Sequence, residues 1–367
     1  MPYEIFDLPA YPCICDMWDD LARESRPIVI YGMGNGADKL LRRFDKYGIK
    51  VADIFASDGF VRGHSYHGFK VKSFLEIKET YGDFVIVLSF ASSRPEVVSM
   101  LEDIDREYDM FVPDMPIADE EEYFDKAFYN SNYDLILRAY ESLADEESRC
   151  VFSSVINYKL TGKLKYLSGT YSDVSGLYSL LPCNKIAVSV DAGAYNGDTV
   201  REAKEYFPKL KKVYAFEPDS RNFKKITKYS EAENDISVIA LNKAAWSFDG
   251  VGEFSGSGNR NSTICATASF ENKKSDVSLC RIDSEVTEKV DYIKYDVEGA
   301  ELQALDGASA IILRDHPSML VSLYHRSCDV FSLPLKLLSS YPFYKLYLRR
   351  LHCIPAWELD LLLVPEF

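Results

Sequence analysis

Twice in this chain a short run of β-branched residues passes through a glycine-containing turn into a helix-period pattern. That succession confines each stretch to a βα unit with a ligand-facing loop. The first is Pro27-Ile-Val-Ile-Tyr-Gly-Met-Gly-Asn-Gly-Ala37, after which Leu40, Leu41, Phe44 and Tyr47 fall on one helix face. Strands expected over Val51–Ala56 and Phe84–Phe90 complete a small Rossmann-like α/β domain, assigned to residues 1–115. The second unit starts with a strand at Ile186–Val190 and turns through Asp191-Ala-Gly-Ala-Tyr-Asn-Gly-Asp198, with Val200, Ala203 and Phe207 marking its helix. Further strands are expected at Val213–Phe216, Ser237–Leu241, Val290–Tyr295 and Ser318–Tyr324. Tyr344–Leu351 and Trp357–Val364 follow with no helix between them, which predicts a final antiparallel pair and a domain over 186–367. Residues 116–185 read as a charged helical connector, with Tyr133, Leu137, Tyr140 and Leu143 three or four apart.

Charge and composition narrow the partners. A net charge of -15 argues against nucleic acid, because neutralising phosphates needs clustered Lys and Arg. No apolar stretch approaches the ~20 residues of a membrane span. Met1–Ala10 carries Glu4 and Asp7 without a basic leader, so a cytoplasmic location is expected. The eight cysteines include no Cys-x-x-Cys pair and no His at zinc spacing, and no metal site is assigned.

Three clusters carry chemistry. In Asp191-x-Gly193-x-x-x-Gly197 the glycines let backbone approach a ligand, while the acid attracts an amino group and would repel a pyrophosphate. That favours adenosylmethionine over NAD. Glu217, in Phe216-Glu-Pro218 at the end of the second strand, is placed to accept hydrogen bonds from ribose hydroxyls. Asp296, Glu298 and Glu301 gather at the end of the fourth strand, where they could face a sulfonium, hold a divalent metal through oxygen, or act as a base. His325 is a further candidate base, since imidazole titrates near neutrality. Ser255–Thr263 reads as a flexible loop and a candidate lid.

From about Ser189 to the C-terminus the chain resembles the FkbM family of methyltransferases. The resemblance is carried by Asp191-Ala-Gly-Ala-Tyr-Asn-Gly-Asp-Thr199, Ala215-Phe-Glu-Pro-Asp219, Asn242-Lys-Ala-Ala245, Ile293-Lys-Tyr-Asp-Val-Glu-Gly-Ala-Glu301 and Leu305-Asp-Gly-Ala308. Tyr295 stands where an aliphatic residue is more usual. The resemblance implies a class I methyltransferase sheet of seven strands in the order 3-2-1-4-5-7-6. It also implies S-adenosyl-L-methionine as cofactor and O-methylation of a hydroxyl on a sugar, glycan or natural product. Carried over by position, it assigns Asp191, Gly193, Tyr195, Asn196 and Gly197 to the cofactor loop and Glu217 to the ribose. Asn242 and Ala244 fall near the adenine or in a helix–sheet packing contact, Asp296 at the cofactor and reaction centre, and Glu298 at the reaction centre, beside the candidate base His325 read from its own chemistry.

Two other readings stay open. Gly32-x-Gly34-x-x-Ala37 with Asp58 follows the outline of a dinucleotide fingerprint, so an NAD-dependent sugar-nucleotide oxidoreductase or epimerase is the alternative enzyme. The same unit also resembles degenerate or sugar-nucleotide-recognising modules, and a non-catalytic cofactor-binding protein or a homodimer is compatible with the sequence.

Overall fold

The computed structural model describes residues 6–61, 63, 65–118, 122–255, 263–265 and 274–366. In the N-terminal unit, strands β1 (Ile28–Tyr31), β2 (Val51–Phe55), β3 (Val85–Leu88) and β4 (Asp109–Phe111) pair in parallel in the order β2-β1-β3-β4. The strands β1 and β3 are buried at every position, as runs of Val and Ile covered on both faces require.

The second sheet contains β5 (Val188–Ala192), β6 (Lys212–Phe216), β7 (Ser237–Leu241), β8 (Tyr292–Tyr295), β9 (Ser318–Ser322), β10 (Tyr344–Arg350) and β11 (Leu359–Pro365). Their order is β10-β11-β9-β8-β5-β6-β7, and every pairing is parallel except those of β11, which runs antiparallel to both neighbours. The chain therefore reverses direction across the sheet between β5 and β8, the place where open α/β sheets form a ligand crevice. Strand β5 begins two residues later than Ile186. The N–H groups of Ala187 and Val188 donate to Asp291 Oδ2 (3.0 and 3.1 Å), so a side chain takes the place of a ladder partner.

Local chemistry sets the helices that follow. The helix Asp198–Tyr206 starts from Gly197, whose φ of 82° lies in the left-handed region. The helix Ser220–Ala232 is capped by Asp219, whose carboxylate accepts from the N–H groups of Arg221 and Asn222, an interaction that typically contributes ~1 kcal/mol. The helix Asp329–Ser340, unread in the sequence, carries Pro334 inside it.

Between the sheets run helices Lys126–Glu141 and Glu146–Thr161. The second is buried along most of its length and lies beside β10, the sheet's edge strand. Ala144 N–H donates to Leu346 O (2.8 Å), Leu348 N–H to Ser148 Oγ (2.9 Å), and Arg349 pairs with Asp145 (2.7 Å). One hydrophobic cluster continues from Ile86 and Leu88 through Tyr129 and Phe152 to Ile293 and Leu346, so both units share a core.

After β7, segments Ala244–Ala245, Gly250–Ser255, Thr263–Cys265 and Lys274–Cys280 form a small separate sheet. The loop and lid expected over Ser255–Thr263 fall mainly on residues 256–262, outside the described residues. Among the described residues no helix is long and apolar enough to cross a membrane.

Candidate functional site

At the end of β5 the chain must turn beneath the loop that leaves β8. Gly193 has φ 96°, and a Cβ there would overlap the carbonyl oxygen of Asp296, so the close approach excludes any side chain. The N–H groups of Gly193 and Ala194 both donate to Phe216 O at 3.0 Å, and Gly197 N–H donates to Ala194 O at 2.7 Å. These bonds leave Gly193 and Tyr195 on the wall of a cavity of 390 Å³ that opens over the carboxyl ends of β5, β6, β8 and β9.

Two residues assigned to the cofactor loop sit elsewhere. Asp191 is 5% exposed and lies behind this wall rather than on it, accepting a hydrogen bond from the Thr199 hydroxyl. Its other oxygen has no hydrogen-bond partner, and burial raises its pKa to about 6 against the pull of Lys294 and Thr199. Thr199 therefore occupies the wall position expected for Asp191. Asn196 does not line the cavity, and its Oδ1 accepts from Arg201 at 3.0 Å.

Glu217 is on the wall and only 6% exposed. It accepts from Asp219 N–H at 2.7 Å, and burial pushes its pKa up to about 7 despite that bond and one from Tyr195 N–H. Asn242 does not reach the cavity. Its amide donates to the carbonyls of Glu217 (2.8 Å) and Pro218 (3.1 Å), so it holds the turn that presents Glu217. Ala244 and Ala245 do line the wall.

Beyond β8 lies a compact charge cluster. Asp296 receives Lys294 Nζ at 2.9 Å and the Tyr324 hydroxyl at 3.1 Å. His325, 0% exposed, places Nδ1 2.9 Å from Glu301 and Nε2 3.5 Å from both Asp296 and Glu298. Burial works against an imidazolium, yet Glu301, followed by Glu298 and Asp296, pushes the His325 pKa up to about 10. Burial likewise would raise Asp296, but Lys294 and His325 hold it down to about 2. Among the three candidate bases, His325 is the one whose surroundings favour holding a proton over accepting one. The carboxylates of Glu301, Glu298 and Asp296 favour its charged form, and it stands behind the cavity wall.

The wall brings together carboxyl groups from distant segments: Asp198, Glu202, Glu217, Asp219, Asp296, Glu298, Glu358 and Asp360, against Lys294 alone among its described basic residues. Five non-glycine residues among those described have left-handed φ values, and three of them, Tyr195 (45°), Glu298 (54°) and Glu358 (62°), line this cavity. Strain of that kind is retained where a side chain must be aimed. The sequence reading missed Thr199, Lys294, Tyr324, Trp357, Glu358 and Asp360. Lys294 alone offered a local signal, a lysine inside a strand otherwise reading as buried. Among the described residues no three His, Cys, Asp or Glu side chains are arranged to hold a metal ion.

The corresponding turn of the N-terminal unit is closed. Gly34 N–H donates to the Tyr66 hydroxyl at 3.2 Å, and that hydroxyl donates to Asp38 and lies 2.9 Å from Gly34 O. His67 Nε2 lies 2.7 Å from the same Asp38 oxygen, so a carboxylate and a phenol cover the helix start where a pyrophosphate would sit.

Residues 191–344 match the family model described as Methyltransferase FkbM domain. Among solved structures, the methyltransferase FkbM from Methylobacillus flagellatus KT is 19% identical with a TM-score of 0.67. The match covers 97% of this chain and 94% of that one, so the fold is shared through both units. An rRNA methylase from Streptococcus thermophilus is 14% identical, covering 53% of this chain and 93% of that chain at a TM-score of 0.31. Fibrillarin from Aeropyrum pernix, solved with natively bound S-adenosyl-L-methionine, is 16% identical, covering 52% and 74% at a TM-score of 0.32. No curated protein matches the chain.

Proposed function

We propose that the chain, whose residues 191–344 match the model of the FkbM methyltransferase domain, transfers a methyl group from S-adenosylmethionine to a hydroxyl of a sugar, glycan or natural-product acceptor in the cytoplasm. The observation that carries this reading is the meeting of the Gly193 turn, Glu217 and the Asp296–Glu298 loop on one cavity. A volume of 390 Å³ lies within the ~300–1,000 Å³ of small-molecule sites. The residues fit the cofactor. Glu217 offers a buried carboxylate to paired ribose hydroxyls, and the Gly193 turn brings bare backbone to the wall. When bound, the sulfonium supplies an electrophilic methyl carbon.

Such a displacement asks the protein to align the acceptor oxygen and remove its proton. Asp296, held at about 2 by Lys294 and His325, is a poor proton acceptor and a good fixed negative charge. Glu298 is the better base: it lines the cavity in a strained backbone conformation, 3.5 Å from an imidazolium that keeps it aimed. His325 is then a positioning residue, anchored by Glu301.

Calorimetric titration with adenosylhomocysteine, with NAD as control, tests the reading. Binding of adenosylhomocysteine alone is expected, whereas binding of NAD alone would overturn it. Glu298→Gln is expected to retain adenosylhomocysteine affinity while losing incorporation of labelled methyl into a mixed pool of sugar acceptors. Retained incorporation would remove Glu298 from the role of base.

A further inference from the structure

Two peptide groups in the segment that leaves the N-terminal unit are bonded at both ends. Lys39 is buried on the helix Asn35–Tyr47, which follows the closed turn, and its Nζ donates to Pro116 O at 2.8 Å and to Ile117 O at 3.2 Å. The same two peptides carry the N–H groups of Ile117 and Ala118, and both donate to His325 O, at 3.1 and 3.2 Å. A peptide group is planar, so fixing its carbonyl fixes the direction of its N–H. A cation on the carbonyl also polarises the group and strengthens the bond made by the N–H. The two peptides therefore connect an ammonium in one unit to the loop of the other unit that carries His325.

Further along, the segment is gripped from the same two sides. One turn on from Lys39, the buried Arg43 lies over the Tyr123 ring at 4.3 Å and pairs with Asp125 at 2.7 Å. From the other unit, Ser327 Oγ donates to Glu122 O at 2.9 Å. Gly299, next to Glu298, faces the segment so closely that a Cβ on it would lie 3.1 Å from the Ala118 methyl. The loop that leaves β3 adds another fixed point: Ser92 exchanges two backbone hydrogen bonds with Ile354, at 2.8 and 3.0 Å, in the hairpin of β10 and β11.

We propose that the N-terminal unit braces the reaction centre, with Lys39 and Arg43 as positioning residues that hold the His325 loop through the segment 116–125. The part this plays in methyl transfer rests on the reading above, in which His325 aims Glu298. An apolar side chain at position 39 would fill the space without the cost of burying a charge, so what the ammonium adds is placement. The His325 ring meets Glu301 at 2.9 Å and Glu298 and Asp296 at 3.5 Å, with Asp329 also acting on it, so a displaced backbone carbonyl alters all of these contacts together.

The test is magnetic resonance of the full chain carrying isotope-labelled histidine, its five histidines assigned by replacing His64, His67, His316 and His352 with Gln in turn. Lys39→Met is expected to move the His325 ring-nitrogen signals and to lower the pH at which that ring loses its proton by ~1 pH unit or more. Lys39→Arg, which keeps a donor cation, is expected to restore most of both. Asp125→Asn keeps a capping side chain while removing the charge opposite Arg43, and is expected to give a smaller change in the same direction. Lys72→Met removes a lysine of the same unit that pairs with Asp53 instead of the segment, and is expected to leave the His325 signals in place. Unchanged His325 signals in a folded Lys39→Met chain, or in Asp125→Asn should Lys39→Met not fold, would overturn the brace. So would an equal change in Lys72→Met. Failure of adenosylhomocysteine to bind the unaltered chain would instead strike the methyltransferase reading, and the brace can still be read from the His325 ring.

Discussion

The two glycine turns of this protein begin alike and end differently. In each, a buried parallel strand stops at a glycine with positive φ and a helix starts within a few residues. At Gly34 the helix start is covered by Tyr66 and Asp38, and at Gly193–Gly197 it borders a cavity walled by Glu217 and Asp296. What separates a binding turn from a structural one is the segment that lies above it. Spacing of glycines reports only that backbone must pass close by.

The largest contrast is expected from placing a methyl group in each turn. Gly193→Ala meets the Asp296 carbonyl and a left-handed backbone, so adenosylhomocysteine binding should vanish in a titration and the melting temperature should fall. Retained binding would show that the turn does not shape the site. Next in size, Glu217→Ala should weaken adenosylhomocysteine by about 10- to 100-fold, the loss of hydrogen bonds to a charged group being ~1.5–3 kcal/mol. Asp38→Ala, its counterpart in the closed turn, should leave that affinity unchanged.

A pH series sharpens the comparison, because Asp191 and Glu217 beside the open turn and Asp38 at the N-terminal turn are shifted in opposite directions. Burial raises Asp191 to about 6, Glu217 to about 7 and Asp360 to about 8. Between about pH 4 and 8 these three acids therefore hold more protons in the folded than in the unfolded chain, and their contribution to stability declines as pH rises. Asp360→Asn should flatten that decline in a series of thermal melts. Burial raises Asp38 too, but its bonds from Tyr66 and His67 outweigh this and lower it. Its contribution is present above the ordinary carboxylate value and lost in acid. Adenosylhomocysteine affinity should rise from pH 6 to 8 as Glu217 ionises, and lose that dependence in Glu217→Gln. The smallest effect belongs to Gly34→Ala. No atom lies within 4 Å of the added methyl, so only the backbone at φ 90° and ψ -159°, a region essentially confined to glycine, costs stability, ~1–3 kcal/mol by denaturant unfolding, with binding untouched.

How far the sequence could be read follows from the range of the interactions. The Gly193 turn and the strand-end position of Glu217 depend on neighbours a few residues away, and both were legible. Asp191 was misplaced by one layer because a buried strand end can turn its acid toward Thr199 as easily as toward a ligand, and only the packing decides. The surroundings of His325 were not legible because they are made by Glu298 and Glu301, residues close in space and more than twenty positions away in sequence. Trp357, Asp360 and Ser92 reach the cavity only through tertiary docking of the hairpin and the N-terminal loop. No local pattern announces such a meeting.

The helix that lies beside β10 has a consequence for this edge of the sheet. An uncovered outer strand offers its N–H and C=O groups to any second chain. Here Leu346 O and Leu348 N–H are already taken by Ala144 and Ser148, and Arg349 is held by Asp145. Those partners precede β10 by about two hundred residues, so during synthesis they emerge well before it. The strand can be capped as soon as it pairs, leaving a newly made chain little time with a sticky margin.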